Sequence, residues 1–185
     1  KYGWHIMRLF EYLLETSAGP ELHDQLLVGD ASWDSPEVVT AFTTCKKWQD
    51  QKWIPEGALS LDPAEVELWY VSGQAAYTVA GQWTESNAIG AAKADPAGFG
   101  VFQLPTDQSS VRHSGFVEGY MINARTGNPD LAASLIDFIC QPEQQKAMGI
   151  TASTVKGAEP DPTTQPLSYE WTQGPGQAPF YTIQD

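Results

Sequence analysis

Gly73-Gln74-Ala75-Ala76-Tyr77-Thr78-Val79-Ala80-Gly81-Gln82-Trp83 is the stretch on which the reading of the fold turns. A helix stops at Gly73, because glycine alone takes the left-handed conformation at little cost. Small residues then lead into a short apolar run, 75–80, that reads as a strand. The run ends at Gly81, where the backbone can turn sharply and another group can come close. Trp83 follows, so its indole stands either in the core or at the wall of a cleft. At a cleft wall, a flat indole stacks on flat apolar partners, and the C–H face of a sugar ring is one.

Helices and short strands alternate around this stretch, the pattern of a layered α/β or α+β fold. Residues 4–17 read as a helix with Ile6, Leu9, Phe10, Leu13 and Leu14 inward and Arg8, Glu11 and Glu15 on the other face. Gly19-Pro20 ends it, with a short helical turn around 21–27. Ser35-Pro36-Glu37 opens a helix over 36–49, in which serine caps, proline fills the first turn and the acid faces the positive helix end. Its stripe is Val38, Ala41, Phe42, Cys45 and Trp48. Asp62-Pro63-Ala64-Glu65 repeats the device as a capping box for 63–72. Asn128-Pro129-Asp130 starts 129–140, with Leu131, Leu135, Phe138 and Ile139 inward, and Gln141-Pro142-Glu143 starts 142–149. Further strands are expected near 98–104 and at 116–123. The last 35 residues, 151–185, hold five prolines, at 160, 162, 166, 175 and 179, and read as a surface-hugging or mobile tail.

Composition narrows the function. A net charge of −13, with only ten Lys and Arg in 185 residues, leaves no basic patch for nucleic acid. No apolar run is long enough to span a membrane. Cys45 and Cys140 both fall on apolar helix stripes and read as buried free thiols. Walker, Rossmann and G-x-S-x-G signatures are absent. His5, His23 and His113 lack metal-ligand spacing and read as surface or capping histidines. Glu11 and Glu15 lie one turn apart and could form an acid pair, but with Arg8 beside them they read as a solvated helix face. No catalytic group, metal or cofactor is expected.

Four stretches, in order, resemble one family. They are Gly73–Trp83; Phe99-Gly100-Val101-Phe102-Gln103-Leu104-Pro105; Ser114-Gly115-Phe116-Val117-Glu118-Gly119-Tyr120-Met121-Ile122-Asn123; and Asn128–Phe138 with Pro142-Glu143-Gln144-Gln145. The chain over about 1–150 resembles the C-terminal portion of the family 1 extracellular solute-binding proteins, the maltose-binding-protein-like receptors of ABC sugar importers. Trp4 through Thr16 is also similar to the helix that opens the second lobe in actinobacterial members.

The resemblance implies a periplasmic-binding-protein-like α/β fold of type II. Residues 1–110 would belong to the second lobe, 111–150 to the crossover strand and helices of the first lobe, and 151–185 to the Pro/Gly-rich tail. It implies capture of a sugar or oligosaccharide and delivery to a membrane ABC permease. It places the protein outside the cell, anchored as a lipoprotein in full-length form. The rest of the first lobe would lie outside this truncated chain. Trp83 matches the stacking tryptophan, Trp4 a region where an aromatic faces the ligand, and Gly115, Phe116 and Glu118 the crossing between lobes. Glu118 could accept hydrogen bonds from sugar hydroxyls, while Trp33 and Trp171 read as packing or loop residues. Two other classes stay open on the residues alone: a lobe of a secreted carbohydrate-active enzyme, and a carbohydrate-binding module with no role in transport.

Overall fold

Six of the seven α-helices among the described residues begin on a proline, and this one device sets most of the architecture. A proline at the first helical position lacks an N–H that would have had no partner there, and its fixed φ suits the helix. The computed structural model describes residues 3–110, 112–115 and 118–181. Its helices are α1 (Trp4–Ala18), α2 (Pro20–Val28), α3 (Pro36–Asp50), α4 (Pro63–Val71), α5 (Pro129–Ile139), α6 (Pro142–Ala147) and α7 (Pro166–Gln173). A π-helical turn covers Glu85–Gly90. Two-residue strands, β1 (His113–Ser114) and β2 (Phe180–Tyr181), pair in parallel.

The five helices expected from cap and periodicity all form, with ends shifted by no more than a residue or two. The box at α4 is complete: Ala64 N donates to Asp62 Oδ1 at 3.0 Å, and Asp62 N to Glu65 Oε2 at 2.8 Å. Gly73, at φ 76°, follows α4 in the left-handed conformation the sequence called for. Ser35 caps α3 by backbone position only, since its hydroxyl makes no cap hydrogen bond. The expected tail also carries more order than its prolines suggest, because Pro166 opens α7 and buries Leu167 and Ser168.

The strands do not follow expectation. Residues 75–80 and 98–104 form none, and neither do 118–123; positions 116 and 117 lie outside the described residues. A strand exists only where a neighbour completes its hydrogen bonds, and the one ladder among the described residues is β1–β2. The α/β character implied by the sequence is therefore reduced here to helices and a single short pairing.

The chain divides into two compact units. The first comprises Lys1–Gly81, Phe102–Phe116 and Pro175–Asp185. Its core is Phe10, Leu13 and Leu14 of α1, Leu26 of α2, and Val38 and Ala41 of α3. Each large aliphatic side chain sealed there contributes about 1.5–3 kcal/mol. Phe42 stacks on Phe10 at 4.0 Å between ring centroids yet stays largely exposed, so the α3 stripe is covered only in part.

The other face of α1 corrects the sequence reading. Glu11 and Glu15 are 2% and 3% exposed, Arg8 is buried with them, and His23 of α2 is wholly buried at 0%. The His23 Nε2 is hydrogen-bonded to Glu11 Oε2. Its Nδ1 lies 3.0 Å from Glu15 Oε2, at ion-pair distance but off hydrogen-bond alignment. Arg112 clamps Glu15 with two bonds, Nε to Oε1 at 2.6 Å and Nη2 to Oε2 at 2.8 Å, and also donates to Asp24 Oδ2 at 3.0 Å and Pro20 O at 3.2 Å. The acids face inward because cations from α2 and from residue 112 meet them there. His5 and His113 are half-buried, and burial pushes both below the usual histidine range.

The second unit comprises Gln82–Val101 and Val117–Gly174. Its buried apolar side chains, among the described residues, are Ala88, Ile89, Ala158 and Leu167. The α5 stripe read as inward is mostly open instead: Leu131 is 70% exposed, Leu135 and Phe138 are each 55%, and Ile139 is half-buried. The periodicity is real, but nothing among the described residues covers it. Cys45 and Cys140 are free, and both are half-buried.

Burial alone would lower the pKa of His23, but the hydrogen bond to Glu11 and the nearby charges of Glu11 and Glu15 outweigh it and raise it to about 9. A pKa raised above its unfolded value of about 6.5 gives stability that is whole below 6.5 and lost as pH climbs through 9. Burial would raise Glu15, yet Arg112 and His23 pull it below its usual range, so its contribution fades in acid. Urea midpoints should therefore fall between pH 6.5 and 9.5 in the wild type, and His23→Gln should lose most of that slope.

Candidate functional site

Trp83 sits in the first turn of the helical segment that passes into the π-turn Glu85–Gly90, and its indole is half-buried. Its neighbours hold it in place. The Gln82 side-chain amide donates to Thr151 O at 2.7 Å and Thr172 Oγ1 at 3.3 Å. The Glu85 carboxylate accepts from Leu167 N at 2.9 Å and Ser168 N at 2.8 Å, so it caps the N-terminus of α7 from 82 and 83 residues away. A carboxylate there meets both the free amides and the positive end of the helix. Ser86 Oγ donates to Trp83 O at 3.2 Å. Anchored on both sides, an aromatic ring loses little freedom when a ligand stacks on it.

The other expected site residues are placed as follows. Trp4 opens α1 and Gly115 follows β1, both in the first unit, where Gly115 N donates to Tyr181 O at 2.9 Å. Glu118 is exposed, in the second unit with Trp83. Phe116 lies outside the described residues. Trp33 is exposed, and Trp171 is half-buried on α7. The structure thus divides the expected residues between the two units. Sequence reasoning missed Gln82 and Glu85, whose partners are 69 to 90 residues away.

Among the described residues, no group of three or more His, Cys, Asp or Glu could hold a metal ion. Where His23, Glu11 and Glu15 converge, His23 lies between the two carboxylates and Arg112 takes both oxygens of Glu15. No described helix is long and apolar enough to cross a membrane.

Comparison with known proteins fixes the class. The family model for bacterial extracellular solute-binding proteins matches residues 3–167, and the chain belongs to that family. It is 26% identical over 153 residues to an uncharacterized ABC transporter extracellular-binding protein of Pyrococcus horikoshii, a match covering 80% of this chain and 33% of the relative. The chain thus spans about a third of the length of the curated relative it matches. No solved structure matches. The family carries a periplasmic-binding-protein-like α/β fold and an extracellular location, and its members are in general binding components served by a membrane permease rather than enzymes.

Glu85→Ala should destabilise the chain by about 1–2 kcal/mol through loss of the α7 cap, and Glu85→Gln by less, because one acceptor remains. Denaturant unfolding of both variants at neutral pH checks the order.

Proposed function

We propose that the protein is the substrate-binding component of an ABC importer that captures a sugar or oligosaccharide between two lobes outside the cell and passes it to a membrane permease. The observation that carries the proposal is Trp83: a half-buried indole whose flanking residues are tied down by hydrogen bonds to distant chain. Such a ring offers a preorganised apolar platform, and the alternating C–H and O–H faces of a sugar suit it. Trp4, Phe116, Glu118 and Gly115 complete the contact set in this reading, with Glu118 accepting from sugar hydroxyls. The role is that of a binder; no catalytic residue, metal or cofactor is assigned.

In the same reading the fold is of type II. Residues 1–110 serve the second lobe, 111–150 bring the crossover strand and helices of the first, and 151–185 close the chain. The remaining first lobe belongs to a longer polypeptide with a lipoprotein anchor. Its sheet supplies the neighbours that 118–123 lack, and it covers the exposed Leu131, Leu135 and Phe138 together with Tyr120, Met121 and Ile122. The Pyrococcus horikoshii relative is named as an ABC transporter extracellular-binding protein, which supports a permease as the partner in this reading.

Calorimetric titration of the full-length protein with a panel of mono- and oligosaccharides tests the proposal. A sugar should bind, and Trp83→Ala should weaken it by about 1–3 kcal/mol while leaving the fold intact. Binding of a peptide or amino acid with no carbohydrate binding would refute the sugar claim. Unchanged affinity in Trp83→Ala would remove Trp83 from the site.

A further inference from the structure

We infer that the buried cluster of Glu11, Glu15, His23 and Arg112 is a latch that fastens two returning passes of the chain, 112–115 and 179–181, onto the α1–α2 hairpin and can release them without unfolding the helices. The two passes belong to separate stretches of the first unit: Phe102–Phe116 runs on into the second unit, and Pro175–Asp185 comes out of it. Their mutual pairing is slight. It consists of the two-residue parallel ladder, with His113 N donating to Pro179 O at 3.1 Å and Gly115 N to Tyr181 O at 2.9 Å. A pairing that short does not persist alone in water.

The cluster supplies what the ladder lacks. Arg112, directly before β1, is held by Glu15, Asp24 and Pro20 O. Tyr181 of β2 is buried, with its ring edge-on to His23 at 4.7 Å and to Tyr12 at 6.2 Å. The Arg112 guanidinium stands 5.5 Å from the centroid of the same ring. The Tyr181 hydroxyl has no hydrogen-bond partner among the described residues, so ring packing and the nearby cations hold this side chain. Each pass therefore meets the cluster through one side chain, Arg112 or Tyr181.

Every neighbouring element contributes a titratable or charged group. Helix α1 brings Glu11, Tyr12 and Glu15, with Arg8 one turn earlier; α2 brings His23 and Asp24; the first pass brings Arg112 and His113; β2 brings Tyr181. With His23 protonated, the cations Arg8, His23 and Arg112 balance the carboxylates Glu11, Glu15 and Asp24. Neutralising His23 takes the charge from the partner of Glu11 Oε2 and leaves Glu15 to Arg112, and both passes lose the electrostatic floor they rest on. The helices keep a further hold through Leu14, Leu26 and Val38 of the apolar core. The latch is independent of which ligand the protein binds.

Amide hydrogen exchange followed by NMR at pH 7 on the intact chain tests the latch, in wild type, His23→Gln and Glu11→Gln. Protection factors at His113 and Gly115 should fall at least about tenfold in both variants, the size expected for loss of a hydrogen bond to a charged group, while α3 amides keep wild-type protection. Unchanged protection at His113 and Gly115 would overturn the latch. So would a parallel loss in α3, because the cluster would then support only the global fold. Should His23→Gln fail to fold, Arg112→Lys, which keeps the charge and loses the two-pronged clamp, is read by the same criteria.

Discussion

Two carboxylates one helical turn apart, both sealed from water, are the constraint on which the first unit depends. Glu11 and Glu15 repel each other, and neither could stay ionised in the interior without compensation. His23 and Arg112 supply it, the first wedged between the acids and the second gripping Glu15 with both prongs. This requirement fixes the position of α2 and draws the chain at residue 112 back to α1. A buried ion pair adds little compared with a well-packed apolar substitute, yet removing one partner leaves a buried charge unanswered and is costly. The cluster therefore specifies where segments go more than it adds to stability, and the apolar side of α1 carries most of the favourable free energy.

The sequence shows α1 clearly as a helix but misstates its surroundings. An acid pair at i, i+4 beside an arginine is ordinarily a solvated face, and no local window says otherwise. The groups that make burial possible lie 8 residues on, at His23, and 97 residues on, at Arg112. The proline starts at 36, 63, 129 and 142 were legible because cap, proline and acid come together. Pro166 was not, since it stands among four other prolines with no acid in the first turn.

At the candidate site the division is similar. Trp83 is conspicuous in sequence because it follows glycines and an apolar run. What holds it, Gln82 on Thr151 and Thr172 and Glu85 on α7, depends on contacts across most of the second unit. The α5 stripe teaches the converse: periodicity predicts which face is apolar, while burial needs something to cover it, and none of the described residues does. The missing strands at 75–80 and 118–123 have the same cause, since pairing is a property of two segments and the sequence of one cannot supply it.

The chain belongs to the solute-binding family and passes more than once between its two compact units. The physical centre remains the carboxylate pair and its cations. A double-mutant cycle on Glu15→Gln and Arg112→Gln, read by urea unfolding at pH 7, tests that centre most directly. A coupling of about 1.5–3 kcal/mol is the predicted result. Additivity within about 0.5 kcal/mol would contradict it, since the clamp would then hold nothing together.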